Sequence, residues 1–238
     1  MSSFQLLVSG LANGCVYGLI AIGFVLIYKA TEQVNFAQGD FMMLGAFIVI
    51  ALSQGKMVQL PFYLSIPLAI ATMAMFGYLL DMIVLRRMFG QSQTAMVILT
   101  IALGFVIRFV AGAIWGHEPV ALATPISGQS AKVGGIILGL DEIAIVVVTV
   151  LLTLALYYYF NRTRMGVAMQ AASQNQLAAY YMGIPVKQVQ SLTWALAGGT
   201  AAIAGILFAT KGSIDPSTGL LGIRSEERRV GKECRSRW

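Results

Sequence analysis

The sequence predicts an all-α fold, a polytopic transmembrane helix bundle with a broken or short helix after the first span. Two observations carry this. Hydrophobic residues make up 58% of the 238 positions and charged residues only 11%, whereas soluble domains are about 45–50% apolar and about 25% charged. The charge is sparse because it falls mostly between apolar runs, and about 20 apolar residues cross one bilayer core. A mean hydropathy of +0.77 agrees. A soluble globular domain and a disordered chain are both excluded.

Six apolar segments follow in order. Segment A runs from about Phe4 to Tyr28 and is long enough to cross. Segment B, from about Phe41 to Leu52, is short and follows the polar stretch Asn35-Phe36-Ala37-Gln38-Gly39-Asp40. Segments C, D, E and F span about Phe62–Leu85, Ala95–Trp115, Ile143–Phe160 and Leu192–Thr210. The connection from Gly116 to Asp141 has room for a short helix or strand. Between spans E and F, Met169 to Gly183 is rich in Ala, Gln and Met and reads as one helix at the membrane edge. Gly183-Ile184-Pro185 ends it, with glycine as C-cap and proline just after.

The positive-inside rule orients the bundle. With the N-terminus outside, Lys29, Arg86, Arg87, Arg162, Arg164 and Lys187 lie on the cytoplasmic side, against Lys56, Lys132 and Lys211 outside. The bias holds only if segment B passes from one face to the other, so B is read as a traversing element preceded by non-helical backbone. The net charge of +6 is therefore topology charge rather than a nucleic-acid face, and no nucleic-acid partner is expected. Cys15 lies in an apolar run and Cys234 in the tail, which argues against a disulfide framework. The first apolar run lacks a basic leader, so no cleavable signal peptide is expected.

Three motifs stand out. Gly10, Gly14 and Gly18 share one face of segment A, the spacing of close-packed membrane helices. Ala197-Gly198-Gly199, Ala201, Ala202, Ala204 and Gly205 give segment F a similar small face. In the second motif, Asn35, Gln38, Gly39 and Asp40 abut membrane sequence. Such groups are costly there unless they line water, protein or a ligand. They serve either as loop caps or as a broken helix beside a transport path or its gate. The third is the intramembrane charge. Asp81 reads as an inner-interface anchor, and Arg108 as a side chain that snorkels to the outer headgroups. Their estimated depths differ by about 10 Å, so they are not expected to pair.

No catalytic set is apparent. His117 is the only histidine and makes a poor metal site alone, so no metal is expected. No P-loop, GxSxG or HExxH pattern occurs, so any ATP-driven role needs nucleotide bound on another chain.

The run from Gly10 to Gly23 followed by Val34-Asn35-Phe36-Ala37-Gln38-Gly39-Asp40-Phe41-Met42-Met43-Leu44-Gly45-Ala46-Phe47 resembles the N-terminal signature of branched-chain amino-acid ABC importer permeases, the shorter of two permease types. The resemblance covers about Phe4 to Leu221. The stretch from Ala171 to Ile184 is similar to the family's coupling segment, which docks on the ATPase. It implies coupling roles for Gln174, Asn175, Ala178, Ala179 and Gly183. The resemblance also implies a bacterial cytoplasmic (inner) membrane location and four partners besides lipid. These are two ATPase subunits, a second permease subunit and an extracytoplasmic substrate-binding protein. No cofactor is expected on this chain; ATP and Mg belong to the partner ATPase. The cargo it implies is a branched-chain or related amino acid.

Rival readings are a stand-alone channel or facilitator for a small polar solute such as urea or an amide, and, less favoured, a membrane-embedded enzyme. Residues 4–221 read as the permease domain, incomplete at its C-terminus. Residues 224–238, with six basic and three acidic side chains, resemble translated vector sequence and read as a non-native tail.

Overall fold

The computed structural model describes residues 3–31, 34–55, 60–88, 92–124, 130–133 and 136–220. The expected tail at 224–238, with Cys234, and the expected outer Lys56 lie outside the described residues. Eight helices follow in order: α1 (Ser3–Thr31), α2 (Gln38–Gln54), α3 (Phe62–Ile83), α4 (Gln93–Trp115), α5 (Leu140–Arg162), α6 (Arg164–Gln174), α7 (Gln176–Tyr181) and α8 (Val186–Lys211). A 3-10 turn, Leu85–Met88, closes α3. The short strands β1 (Val120–Ala121), β2 (Ser130–Val133), β3 (Ile136–Gly139) and β4 (Ser213–Ile214) form two antiparallel pairs, β1 with β4 and β2 with β3. Strands therefore occupy the connection after Gly116, within an otherwise all-α bundle.

Five of these helices, α1, α3, α4, α5 and α8, are long and apolar enough to cross a membrane, and α2 is a shorter apolar helix of 17 residues. Local chemistry sets several boundaries. Ser92 accepts a hydrogen bond from Ala95 N at the start of α4, and Thr163 accepts from Gly166 N at the start of α6. Each satisfies an orphan donor of the first helical turn. Pro185 precedes α8, where a missing N–H costs nothing.

Helix α8 is the central post. It packs against α1, α2 and α3, with 72% of its spanning window buried, against 6% for the peripheral α5. Its small residues explain this placement. A Cβ added at Gly198 would strike the carbonyl of Met73, and one at Gly205 the carbonyl of Met42. From the facing helices, Gly77 lies against the Trp194 carbonyl and Gly45 against Ala202. Backbones touch at these four points, the route to tight packing where lipid removes the hydrophobic drive. Around them Phe41 contacts Phe76 and Trp194 edge-on, at 5.6 and 6.3 Å between ring centroids.

Among the described residues, nothing packs against Gly10, Gly14 and Gly18. A Cβ at any of the three would meet no atom within 4 Å. Residue spacing defines the stripe, but α8 approaches the other side of α1, where Ala12, Val16 and Leu19 are buried. The far ends of α1, α5 and α8 are joined by charge. Lys211 Nζ donates to Asn13 Oδ1 at 3.1 Å and to Ser9, and stands 3.5 Å from Glu142.

Candidate functional site

The polar stretch before α2 is fastened into the interior rather than capping an exposed loop. Asn35 and Gln38 are each 1% exposed and Asp40 not at all, and Gly39 is buried. Residues 34–37 are non-helical, and α2 begins at Gln38, which places Asp40 in its first turn. The Asn35 side chain accepts from Ala37 N at 3.0 Å, turning the chain into the helix. Gln38 Nε2 donates to the carbonyl of Ala197 on α8 at 3.4 Å. Phe36 N donates to Thr100 Oγ1 on α4 at 3.3 Å. Gly23 of α1 leaves the space that the Gln38 amide fills.

Asp40 is held by a residue that sequence reasoning assigned elsewhere. Arg108 Nε donates to Asp40 Oδ1 at 2.6 Å, and Nη2 donates to Oδ2 at 3.1 Å. The expected snorkelling of Arg108 to the headgroups is thus corrected. Its side chain is 11% exposed and turned into the bundle. A buried carboxylate draws the guanidinium inward because each charge would otherwise stand uncompensated in a low dielectric. Two glycines make room for the carboxylate. Gly104, one turn before Arg108, lies against Oδ2, and Gly219 lies against Oδ1. Either position would collide with Asp40 if it carried a Cβ. Sequence spacing gave no sign of the pair, since its partners stand 68 residues apart.

Gly219 is delivered by a turn that builds itself. Thr218 Oγ1 donates to Asp215 Oδ1 at 2.8 Å and accepts from Asp215 N at 3.1 Å, while Ser217 Oγ donates to the same oxygen at 2.8 Å. Burial pushes the Asp215 carboxyl up, but the hydrogen bonds from Ser217 and Thr218 outweigh it and hold it below the usual value of 3.8. The turn follows β4, which pairs with β1 beyond the end of α4.

The second candidate region is the α6–α7 segment. The expected single helix is two helices, broken at Asn175, whose side chain accepts from Ala178 N at 2.9 Å. Asparagine favours this because its amide competes with the helical ladder and restarts it as a cap. Gly183 has φ +82°. Ile184 N donates to Ala179 O and Gly183 N to Tyr180 O, both at 3.0 Å. This is the two-bond glycine termination expected from Gly183-Ile184-Pro185.

Of the coupling candidates, Gln174, Asn175, Ala178 and Gly183 are exposed. Ala179 is 5% exposed and faces inward with Met169, Ala172 and Val189. The outward surface also carries Leu177, Tyr180, Tyr181 and Met182, between 66% and 83% exposed. A cavity of about 540 Å³ lies between α1, α5 and α6, lined by Val25, Leu26, Lys29, Leu156, Phe160 and Met169 among others. Asn35, Gln38, Gly39 and Asp40 do not line it. Among the described residues, no group of three or more His, Cys, Asp or Glu could hold a metal ion.

Residues 6–224 match the family described as branched-chain amino acid transport system, permease component. The high-affinity branched-chain amino acid transport system permease protein BraD of Pseudomonas aeruginosa is 28% identical over 93% of this chain and 76% of its own length. A probable branched-chain amino acid transport permease protein, LivH of Methanocaldococcus jannaschii, is 29% identical over 87% of this chain and 66% of its own length. The LivH permease of Escherichia coli K12, named as part of a high-affinity branched-chain amino acid transport system, is 26% identical over 91% and 74%. No solved structure matches the chain.

Proposed function

The chain belongs to the family of branched-chain amino acid transport permease components, and from that premise we propose how its two sites divide the work of an ATP-driven importer. The permease pairs with a second permease subunit and takes two ATPase subunits on its cytoplasmic face. An extracytoplasmic binding protein delivers a branched-chain or related amino acid. ATP and Mg act on the ATPase, and this chain performs no catalysis. It is a multi-pass protein of the bacterial cytoplasmic membrane with its N-terminus outside.

The observation that carries this reading is the form of the α6–α7 segment. Its apolar side chains Leu177, Tyr180, Tyr181 and Met182 project outward from a short helix capped at both ends. Large exposed apolar groups beyond the membrane-spanning helices favour a protein partner. Helix α8 starts directly after Pro185, so a push on α7 passes into the central post. That post holds Gln38 through Ala197. The Asn35–Asp40 joint then serves as the gate: its polar groups are mutually satisfied in the closed arrangement and become exposed when α2 moves.

Co-isolation tests the docking face. The permease, tagged and expressed with its neighbouring transport genes, is expected to bring down a P-loop ATPase. Met182→Asp and Gly183→Arg should abolish this while leaving the membrane-inserted amount unchanged. Equal recovery of ATPase by both variants would remove the coupling assignment.

A further inference from the structure

A second carboxylate–arginine pair lies where α3 meets the start of α8, and its geometry differs from that of Asp40 and Arg108. Asp81 is fully buried. The Ser191 hydroxyl donates to Asp81 Oδ2 at 2.6 Å and accepts from Arg86 Nη2 at 2.7 Å. Arg86 Nη2 also donates to the carbonyl of Lys187, in the first turn of α8, at 3.2 Å. Arg86 Nε, however, stands 3.6 Å from Asp81 Oδ2, too far for a hydrogen bond. Among the described residues, both Arg86 Nε and Asp81 Oδ1 are buried without a hydrogen-bond partner.

Buried polar atoms without partners are rare in native structures and call for an explanation. Here each lone atom is the natural complement of the other. A guanidinium and a carboxylate satisfy one another two-pronged when they close fully, as Arg108 and Asp40 do. At Asp81 the serine of α8 occupies one prong, and the guanidinium is spent on α8. Stereochemistry therefore leaves a second arrangement open to the same three side chains. In the observed one, Arg86 pins α8 to α3 through Lys187 and Ser191. In the other, Nε and Nη2 take both oxygens of Asp81, and α8 is released from the pin.

We infer that Asp81, Arg86 and Ser191 are positioning residues for coupling, forming a two-position latch between the α6–α7 segment and the start of α2. The location supports this. Arg86 grips α8 within its first two turns, just after the Gly183–Pro185 exit from α7. Ala197, which holds Gln38, lies six residues beyond Ser191, about 9 Å further along α8. A shift of α7 carried along α8 passes the latch before it reaches Ala197.

The inference rests on the importer reading, so the test separates the two. The full permease is reconstituted in proteoliposomes with its partner permease, ATPase and binding protein, and radiolabelled leucine uptake and phosphate release are measured on the same vesicles. ATP-dependent uptake by the wild type establishes the underlying reading; its absence would sink that reading and the latch with it. With wild-type coupling in hand, Arg86→Gln is expected to lower leucine taken up per ATP by about tenfold, and Ser191→Ala by about fivefold, typical of a coupling free energy. Phosphate release should stay near the wild-type rate. Arg87→Gln, at an exposed position one residue away, should leave the ratio unchanged. An unchanged ratio in assembled Ser191→Ala complexes would overturn the latch. So would uptake and hydrolysis falling together at constant ratio, because that marks a merely structural role.

Discussion

Asp40 and Arg108 meet through two hydrogen bonds, 2.6 and 3.1 Å long, across 68 residues of sequence. The pair joins the first turn of α2 to the middle of α4, and Gly104 and Gly219 close around the carboxylate. Removing one partner leaves the other charge buried and uncompensated. Arg108→Met is therefore expected to destabilise the folded protein by about 3–5 kcal/mol. Adding Asp40→Asn should recover part of that loss, because the stranded charge goes with it. Unfolding of the single and double variants in detergent micelles measures both. A double variant destabilised, relative to the wild type, by the full sum of the two single effects would contradict the pairing.

The glycines divide into two classes with opposite expectations. Gly198 and Gly205 hold backbones in contact at the α3 and α2 seams of α8. Leucine at either is expected to cost about 1–3 kcal/mol or more through overpacking. Gly10→Leu and Gly14→Leu meet no described atom within 4 Å and should carry no overpacking cost. Thermal midpoints of the four variants in one detergent decide this.

The break between α6 and α7 depends on one amide. Asn175→Ala removes the acceptor for Ala178 N and should cost about 1 kcal/mol locally. Hydrogen exchange of the amides at 176–181 should accelerate about fivefold, as that energy implies. Unchanged exchange would show that tertiary contacts alone hold α7.

The turn at 215–218 carries a pH dependence. Hydrogen bonds from Ser217 and Thr218 hold the Asp215 carboxyl below its usual value of 3.8. A carboxylate with a lowered folded-state pKa contributes stability that is full above the ordinary carboxylate range. That stability is lost as pH falls through the lowered value. Protection of the Thr218 amide, which donates to Asp215 O, should hold at neutral pH and fall only in strong acid. Asp215→Asn should abolish that acid transition.

Composition and apolar run length made the bundle legible, because a bilayer fixes helix length through one physical constant. The short second helix was legible because Asn35, Gln38 and Asp40 are costly against membrane sequence. Gly183 was legible as a terminator because its demand for positive φ is local. The charge partners were not. Arg108 read as an anchor since snorkelling depends only on depth along its own helix, whereas pairing depends on which helix lies opposite. The stripe of Gly10, Gly14 and Gly18 has the same limit, since no described residue of this chain meets it. Spacing shows that residues share a face, not what that face meets. The break at Asn175 was hidden inside a run of helix formers, where a single cap side chain outweighs propensity.

The central claim is that this permease moves its cargo only when driven by ATP on partner subunits. Radiolabelled leucine uptake into proteoliposomes holding the full permease pair and its ATPase, with binding protein added outside, measures it most directly. Uptake should require ATP on the ATPase side and stop when the ATPase subunits are omitted. Leucine flux that persists down its gradient without ATPase subunits would contradict the claim and leave a facilitator in its place.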